Sequence, residues 1–129
     1  MSHVQQASVG PCWAGFGLTV TVTNCDATRA SLRLVGELDA ANAPLLGTCL
    51  EYHLSLGRQF VRVDLAGLAF IDTSGLEAIT EAHQIFLGRR GTLILTGLNG
   101  RTRRLVHTVG LDTLLLIAAD IAELAAPVA

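Results

Sequence analysis

Phe16, Leu18, Val20 and Val22 alternate with Gly17, Thr19, Thr21 and Thr23. A period of two of this kind marks a strand with one face buried and one face wet. The segment NCDATRA (24–30) supplies turn residues, and Leu32, Leu34 and Leu38 then resume the alternation. The two runs therefore pair as an antiparallel hairpin with a loose loop. Beyond GELDA (36–40) the period changes. Asn42 is placed to cap a helix with Pro44 in its first turn, where proline removes no intrahelical donor. Leu45, Cys49, Tyr52 and Leu56 continue at helical spacing until Gly57 stops the run. FVRVDL (60–65) reads as a compact strand with apolar positions on both faces, and FIDTSG (70–75) leads into a helix through Leu87 that ends at Gly88. TLILTGL (92–98) is a further strand, GRTRRLVHTVG (100–110) a short basic helix and LLLI (114–117) a last short strand. ADIAELAA (119–126) closes the chain as a helix with Asp120 in its first turn.

Two strands lead, and helices alternate with strands thereafter. Strands recurring after helices of 10 to 15 residues pair in parallel through crossovers. The expected fold is α/β: a mixed sheet with a leading antiparallel hairpin, then parallel crossovers, and helices packed mainly on one face. The alternating first strand then faces solvent on its other side. Residues 1–14 show no periodicity and read as a leader expected to be disordered, followed by one domain over residues 15–129.

Composition narrows the function classes. Half of the 129 residues are hydrophobic and 16% are charged, which suits a packed domain and not a disordered chain. A net charge of -2 lacks the basic excess that a nucleic-acid partner requires. The apolar run Leu114–Ala119 is far too short to cross a bilayer. The N-terminus has neither a basic region nor a continuous apolar stretch of signal-peptide type, so a cytoplasmic location without membrane insertion is expected. Cys12, Cys25 and Cys49 are an odd number without a CxxC pair, so neither a zinc pattern nor a disulfide framework is indicated. Cys12 and Cys25 fall in polar or turn segments where redox chemistry is conceivable, while Cys49 sits on the first helix as a small core residue.

The candidate chemistry lies in FIDTSGLEA (70–78). Ser74 stands three residues before Glu77, and Ser-x-x-Glu is a capping box in which the Ser74 hydroxyl accepts from the Glu77 N–H. Ser74 thus has a structural role worth about 1 kcal/mol. Thr73 lies one residue outside that cap. A phosphate on it would meet the positive end of the helix dipole. It would also bring nearly two negative charges beside Asp72 and repel anything docked on this corner. Asp-Thr-Ser-Gly also serves as a plain turn and cap, and on spacing alone that reading is favoured over the switch.

GELDAANAPLL (36–46), VDLAGLAFIDTSGLEAI (63–79) and TGLNGRTRRLVHTVGLDTLL (96–115) occur in an order that resembles the STAS domain of bacterial anti-sigma factor antagonists. The likeness spans roughly residues 14–126, most of the chain by the domain-length argument. It implies the mixed sheet read above. It also implies a function: the unphosphorylated form binds an anti-sigma factor that is itself a serine/threonine kinase, and so frees a sigma factor. The kinase phosphorylates the residue after the Asp of the motif, and a phosphatase reverses it. Carried onto this chain the acceptor is Thr73, with Ser74 as the alternative; many relatives have Ser where this chain has Thr73. The resemblance places Asp39, Asp72, Thr73, Ser74, Gly75 and Glu77 on the partner-binding surface. Asp39 either contacts the partner or hydrogen-bonds its own turn, while Asp72 has two compatible roles, to orient the Thr73 hydroxyl and to accept from the N–H groups of the turn.

An enzyme reading has little to stand on. No Cys or His is placed by sequence to activate Thr73 or Ser74. His83 falls on an apolar helix stripe as a core residue, His107 on a solvated helix, and His3 and His53 in no motif. GLNGRTRR (97–104) lacks the Gly-Lys-Ser/Thr end of a P-loop, and Arg101, Arg103 and Arg104 read as a solvated helix face. No cofactor or metal is expected. Two other settings remain for such a domain: an accessory subunit of a lipid-transport ABC complex, and an antagonist without phosphorylation under redox control. Oligomeric state is not readable from the sequence.

Overall fold

Six strands lie in chain order across one mixed sheet: β1 (Gly10–Gly15), β2 (Leu18–Cys25), β3 (Arg29–Leu38), β4 (Phe60–Ile71), β5 (Thr92–Thr96) and β6 (Leu116–Ile117). This is seen in a computed structural model that describes residues 10–108, 116 and 117. β1 with β2 and β2 with β3 run antiparallel, while β3 with β4, β4 with β5 and β5 with β6 run parallel. A parallel neighbour requires a crossover. The first two are made by helices α1 (Ala43–Ser55) and α2 (Thr73–Gly88), and the third includes α3 (Gly100–Thr108).

The period-two pattern decides which face is covered. Leu18, Val20 and Val22 of β2 are buried together with Leu32 and Leu34 of β3, Val61 and Val63 of β4, and Leu93 and Leu95 of β5. Leu46, Leu50 and Leu54 of α1 and Ile79, Ala82 and Phe86 of α2 complete the same core. Removing a fully buried side chain such as Phe86 would cost about 3–5 kcal/mol. On the opposite face Arg33 and Asp64 occupy directly paired positions, with Arg33 Nε 3.7 Å from Asp64 Oδ2. At this exposure the pair adds little to stability.

Three details differ from the pattern read along the chain. Residues 10–15 form β1, an edge strand paired from Gly10↔Val22 to Gly15↔Leu18 with a break in register between Pro11 and Trp13. GPCWAG has no alternation, and Pro11 is tolerated because only one side of an edge strand needs donors. Phe16 is not the first residue of β2. It sits in the β1–β2 turn at φ 53° and is 73% exposed. FVRVDL is apolar toward one face only: Val61, Val63 and Leu65 are buried, and Phe60 and Arg62 are exposed. The strand does not stop there but continues through Gly67 to Ile71 as β4. Residues 1–9, Leu114 and Leu115 and the helix expected over 119–126 lie outside the described residues.

Candidate functional site

β3 and β4 end together. Leu38 is in register with Ile71, so the next residues, Asp39 and Asp72, open two adjacent turns at the carboxyl edge of the sheet. That edge is where loops after parallel strands gather ligand and partner contacts. The Asp72 N–H donates to the Leu38 carbonyl at 3.3 Å and ties one turn to the other strand.

Asp72, not Ser74, is the N-cap of α2. Its backbone is extended (φ −117°, ψ −175°) and its Oδ1 accepts from the Gly75 N–H at 3.0 Å. Its carbonyl receives the Leu76 N–H at 3.1 Å, so helical bonding begins two residues earlier than Ser-x-x-Glu suggests. A carboxylate in extended backbone outcompetes a hydroxyl that has already entered the helix. Thr73 and Ser74 become the first two helical residues. Thr73 is exposed, Ser74 half-buried and Glu77 exposed on the outer side of the first turn. Neither hydroxyl caps the helix, so exposure, rather than a capping duty, separates Thr73 from Ser74. Asp72 accepts from the turn, the second of the two roles open to it.

Gly75 is buried, and its place is set by packing. A Cβ there would stand 2.8 Å from Leu38 Cγ and 3.1 Å from Ile71 Cγ1, closer than carbon atoms tolerate. The glycine lets α2 begin directly against the ends of β3 and β4, which is what presents Thr73 at the rim.

Asp39 Oδ1 accepts from the Ala41 N–H at 3.0 Å, and its carbonyl accepts from Asn42 and Ala43 at 3.2 and 2.8 Å. It therefore holds its own turn while remaining half-buried at the rim. Asn42 has the N-cap position of α1 but makes no side-chain cap. It is fully buried, and its Nδ2 donates to the carbonyls of Phe16 and Glu37, each at 2.9 Å, while its Oδ1 accepts from Asp39 N–H at 3.0 Å. This side chain joins the β1–β2 turn, the end of β3 and the Asp39 turn. Sequence reasoning missed it as a site residue because its Phe16 partner is 26 residues away.

The remaining candidates lie elsewhere. His83 is buried on α2, and His107 is exposed on α3. His53 is buried on α1 with Nδ1 3.0 Å from Arg58 Nη1. A guanidinium only donates, so Nδ1 is the acceptor and the ring proton sits on Nε2. Arg101 and Arg104 are exposed and Arg103 half-buried on α3. Cys25 ends β2 rather than lying in a turn; it and Cys49 are half-buried thiols, and the Cys12 side chain lies outside the described residues. Among the described residues no group of three or more His, Cys, Asp or Glu is arranged to hold a metal ion. Nor is any helix among them long and apolar enough to cross a membrane. At the far end of the sheet, N–H groups of Thr28 and Arg29 bonded to Asp26 Oδ1 lower the Asp26 pKa below its ordinary 3.8.

The STAS domain family matches residues 20–124, and the chain belongs to that family. Its sequence is 27% identical over 100 residues to the anti-sigma-B factor antagonist of Listeria monocytogenes, covering 78% of this chain and 88% of that protein. The crystal structure of an anti-sigma factor antagonist from Mycobacterium paratuberculosis is similar with a TM-score of 0.68 at 23% identity, over 81% of this chain and 87% of that one. The anti-sigma factor antagonist SpoIIAA in its unphosphorylated form is similar with a TM-score of 0.61 at 18% identity, over 76% and 86% of the two chains. The mixed sheet with its crossover helices is the fold these structures share.

Proposed function

We propose that this protein is an anti-sigma factor antagonist whose unphosphorylated form binds an anti-sigma factor with serine/threonine kinase activity, freeing a sigma factor, and that phosphorylation of Thr73 switches binding off. The observation that carries this is the exposed Thr73 hydroxyl at the first position of α2, beside the capping Asp72 and at the same sheet edge as the Asp39 turn. The protein acts by binding and is not itself the enzyme. The similar protein SpoIIAA has a phosphorylated form, which supports a phosphoacceptor in a fold of this kind.

The chemistry follows from the helix terminus. The Thr73 oxygen attacks the γ-phosphorus of ATP held by the kinase, the bond to ADP breaks, and the hydroxyl proton passes to a base of the kinase. The product carries about −1.5 to −2 charges at neutral pH. The N–H groups of the first helical turn point toward this end, and the dipole favours an anion there by about 0.3–1 kcal/mol. The fold therefore tolerates the group. A partner seated on Asp39, Thr73, Ser74 and Glu77 does not, since it must accept a bulky dianion beside two carboxylates. A phosphatase restores the bound state. Ser74 is the alternative acceptor, with its half-buried side chain making it the less accessible of the two. The setting is the cytoplasm, where sigma factors and ATP reside.

The test is affinity purification of wild-type and Thr73→Glu protein from the native cells. Wild type should bring down an anti-sigma factor that phosphorylates it in the presence of ATP, and Thr73→Glu should not. Equal recovery with both would refute the switch.

A further inference from the structure

Phe16 is held where its own backbone disfavours it. With Gly17 it closes the hairpin of β1 and β2 at φ 53° and 83°, the two positive values of a type I′ turn, for which Asn-Gly is the usual pair. A bulky side chain in this left-handed region is strained, and strain of this kind gathers where a chain meets a ligand or partner. Phe16 is also the most exposed of the large apolar residues described, so burial within the fold does not offset the strain. The turn is fixed from both sides. Asn42 Nδ2 donates to the Phe16 carbonyl at 2.9 Å, and the Glu37 N–H donates to the Gly17 carbonyl at 2.9 Å.

Those bonds set Phe16 against the end of β3. Glu37 pairs with Phe70 of β4, and both are exposed. Their neighbours Leu38 and Ile71 pack into the core, so Glu37 and Phe70 stand on the open face of the sheet. From β2 to β4 is about 10 Å at the usual strand spacing. The Asp39 and Asp72 turns begin two residues beyond Glu37 and Phe70. No Lys or Arg occurs in residues 13–28, 34–57 or 65–88, the segments that supply the three turns. This end of the sheet is therefore apolar and acidic, with Glu37 and Glu77 exposed, while Arg101 lies on the α3 side of Phe70.

We propose that Phe16 and Phe70 are the apolar anchors of the contact with the anti-sigma factor, which meets them with an apolar recess bordered by basic side chains. This rests on the function proposed above. The corner of Asp39, Thr73, Ser74 and Glu77 is small and polar, whereas a stable interface buries about 800 Å² on each partner around a core enriched in aromatic residues. Phe16 and Phe70 supply such a core beside that corner. The basic border follows from charge complementarity with Glu37 and Glu77.

The test passes native-cell extract over the bead-bound full chain as wild type, Phe16→Asn, Phe70→Ser and Leu56→Ser, each at a series of loadings. Leu56, as exposed as Phe70, follows α1 outside this surface and serves as the control. The anti-sigma factor is identified by mass spectrometry and by its transfer of labelled phosphate from ATP to wild-type protein. The loading that retains half of it should rise about tenfold or more for Phe16→Asn and Phe70→Ser, and stay unchanged for Leu56→Ser. Phe16→Asn should keep or raise the urea unfolding midpoint, because Asn accepts positive φ. Undiminished retention by Phe16→Asn or Phe70→Ser would overturn the anchors while leaving the proposed function intact. A lower midpoint for Phe16→Asn would give Phe16 a role in the fold and would also overturn the inference. Failure of wild type to retain such a factor would refute the proposed function itself, and the anchors with it.

Discussion

Asn42→Ala tests whether the proposed partner surface is held together from beneath. The side chain is fully buried and makes three hydrogen bonds of 2.9–3.0 Å to Phe16, Glu37 and Asp39 backbone groups. Truncation leaves two part-buried carbonyls and one N–H without their partners. At a net value of about 1 kcal/mol for each bond, the loss is about 3 kcal/mol. Water entering the vacated space would recover part of it, so about 2–4 kcal/mol is the expected range. With a urea m-value of about 1.5 kcal/mol/M for a domain of this size, the unfolding midpoint should fall by about 2 M. Asn42→Asp should be worse than its small change in shape suggests, because a carboxylate oxygen would face the two carbonyls that the amide now donates to. Equilibrium urea unfolding followed by circular dichroism measures both. A midpoint shift below about 0.5 M for Asn42→Ala would show that these bonds do not hold the turns together, and the reasoning would fail.

Other substitutions separate the roles of the α2 turn. Asp72→Ala should destabilise by about 1 kcal/mol through loss of the cap, whereas Ser74→Ala should stay within about 0.5 kcal/mol; the reverse order in urea unfolding would restore the capping box. Gly75→Ala places a methyl 2.8 Å from Leu38 Cγ and should cost about 1–3 kcal/mol in the same assay, with a wild-type midpoint contradicting the close approach. Asp26 has a folded pKa lowered by backbone hydrogen bonds from Thr28 and Arg29. Its stabilising effect is therefore complete above the unfolded carboxylate value and lost as pH falls through the lower folded one. Carboxyl-carbon NMR should show Asp26 titrating below 3.8, and a midpoint at or above that value would contradict the turn geometry.

The repeating parts of this molecule were plain in its sequence, and the singular contacts were not. Alternation from Leu18 to Val22 identifies β2 because each buried residue has a polar neighbour on the open face. The stripe of Leu76, Ile79, His83 and Phe86 identifies the inner side of α2, all of them buried. Strands separated by helices imply parallel crossovers, as found. β1 has no such period, and its register comes entirely from β2. Phe60 is apolar yet exposed at the start of β4, so counting apolar residues assigned that strand two buried faces. In DTSGLE two helix-start signals overlap, Asp72 with Gly75 and Ser74 with Glu77. Only the extended backbone at Asp72 and the tight contact of Gly75 with Leu38 decide between them. The Ser-x-x-Glu pattern separates Thr73 from Ser74 on the wrong local ground: Ser74 is not the cap, and the distinction rests on exposure instead.

The most direct test of the central claim is phosphosite mapping by tandem mass spectrometry on protein purified from its native cells, with Thr73→Ala and Ser74→Ala alongside. The account predicts phosphate on Thr73 in wild type and in Ser74→Ala, and none in Thr73→Ala. Phosphate on Ser74 in wild type, with Thr73 unmodified, would contradict it.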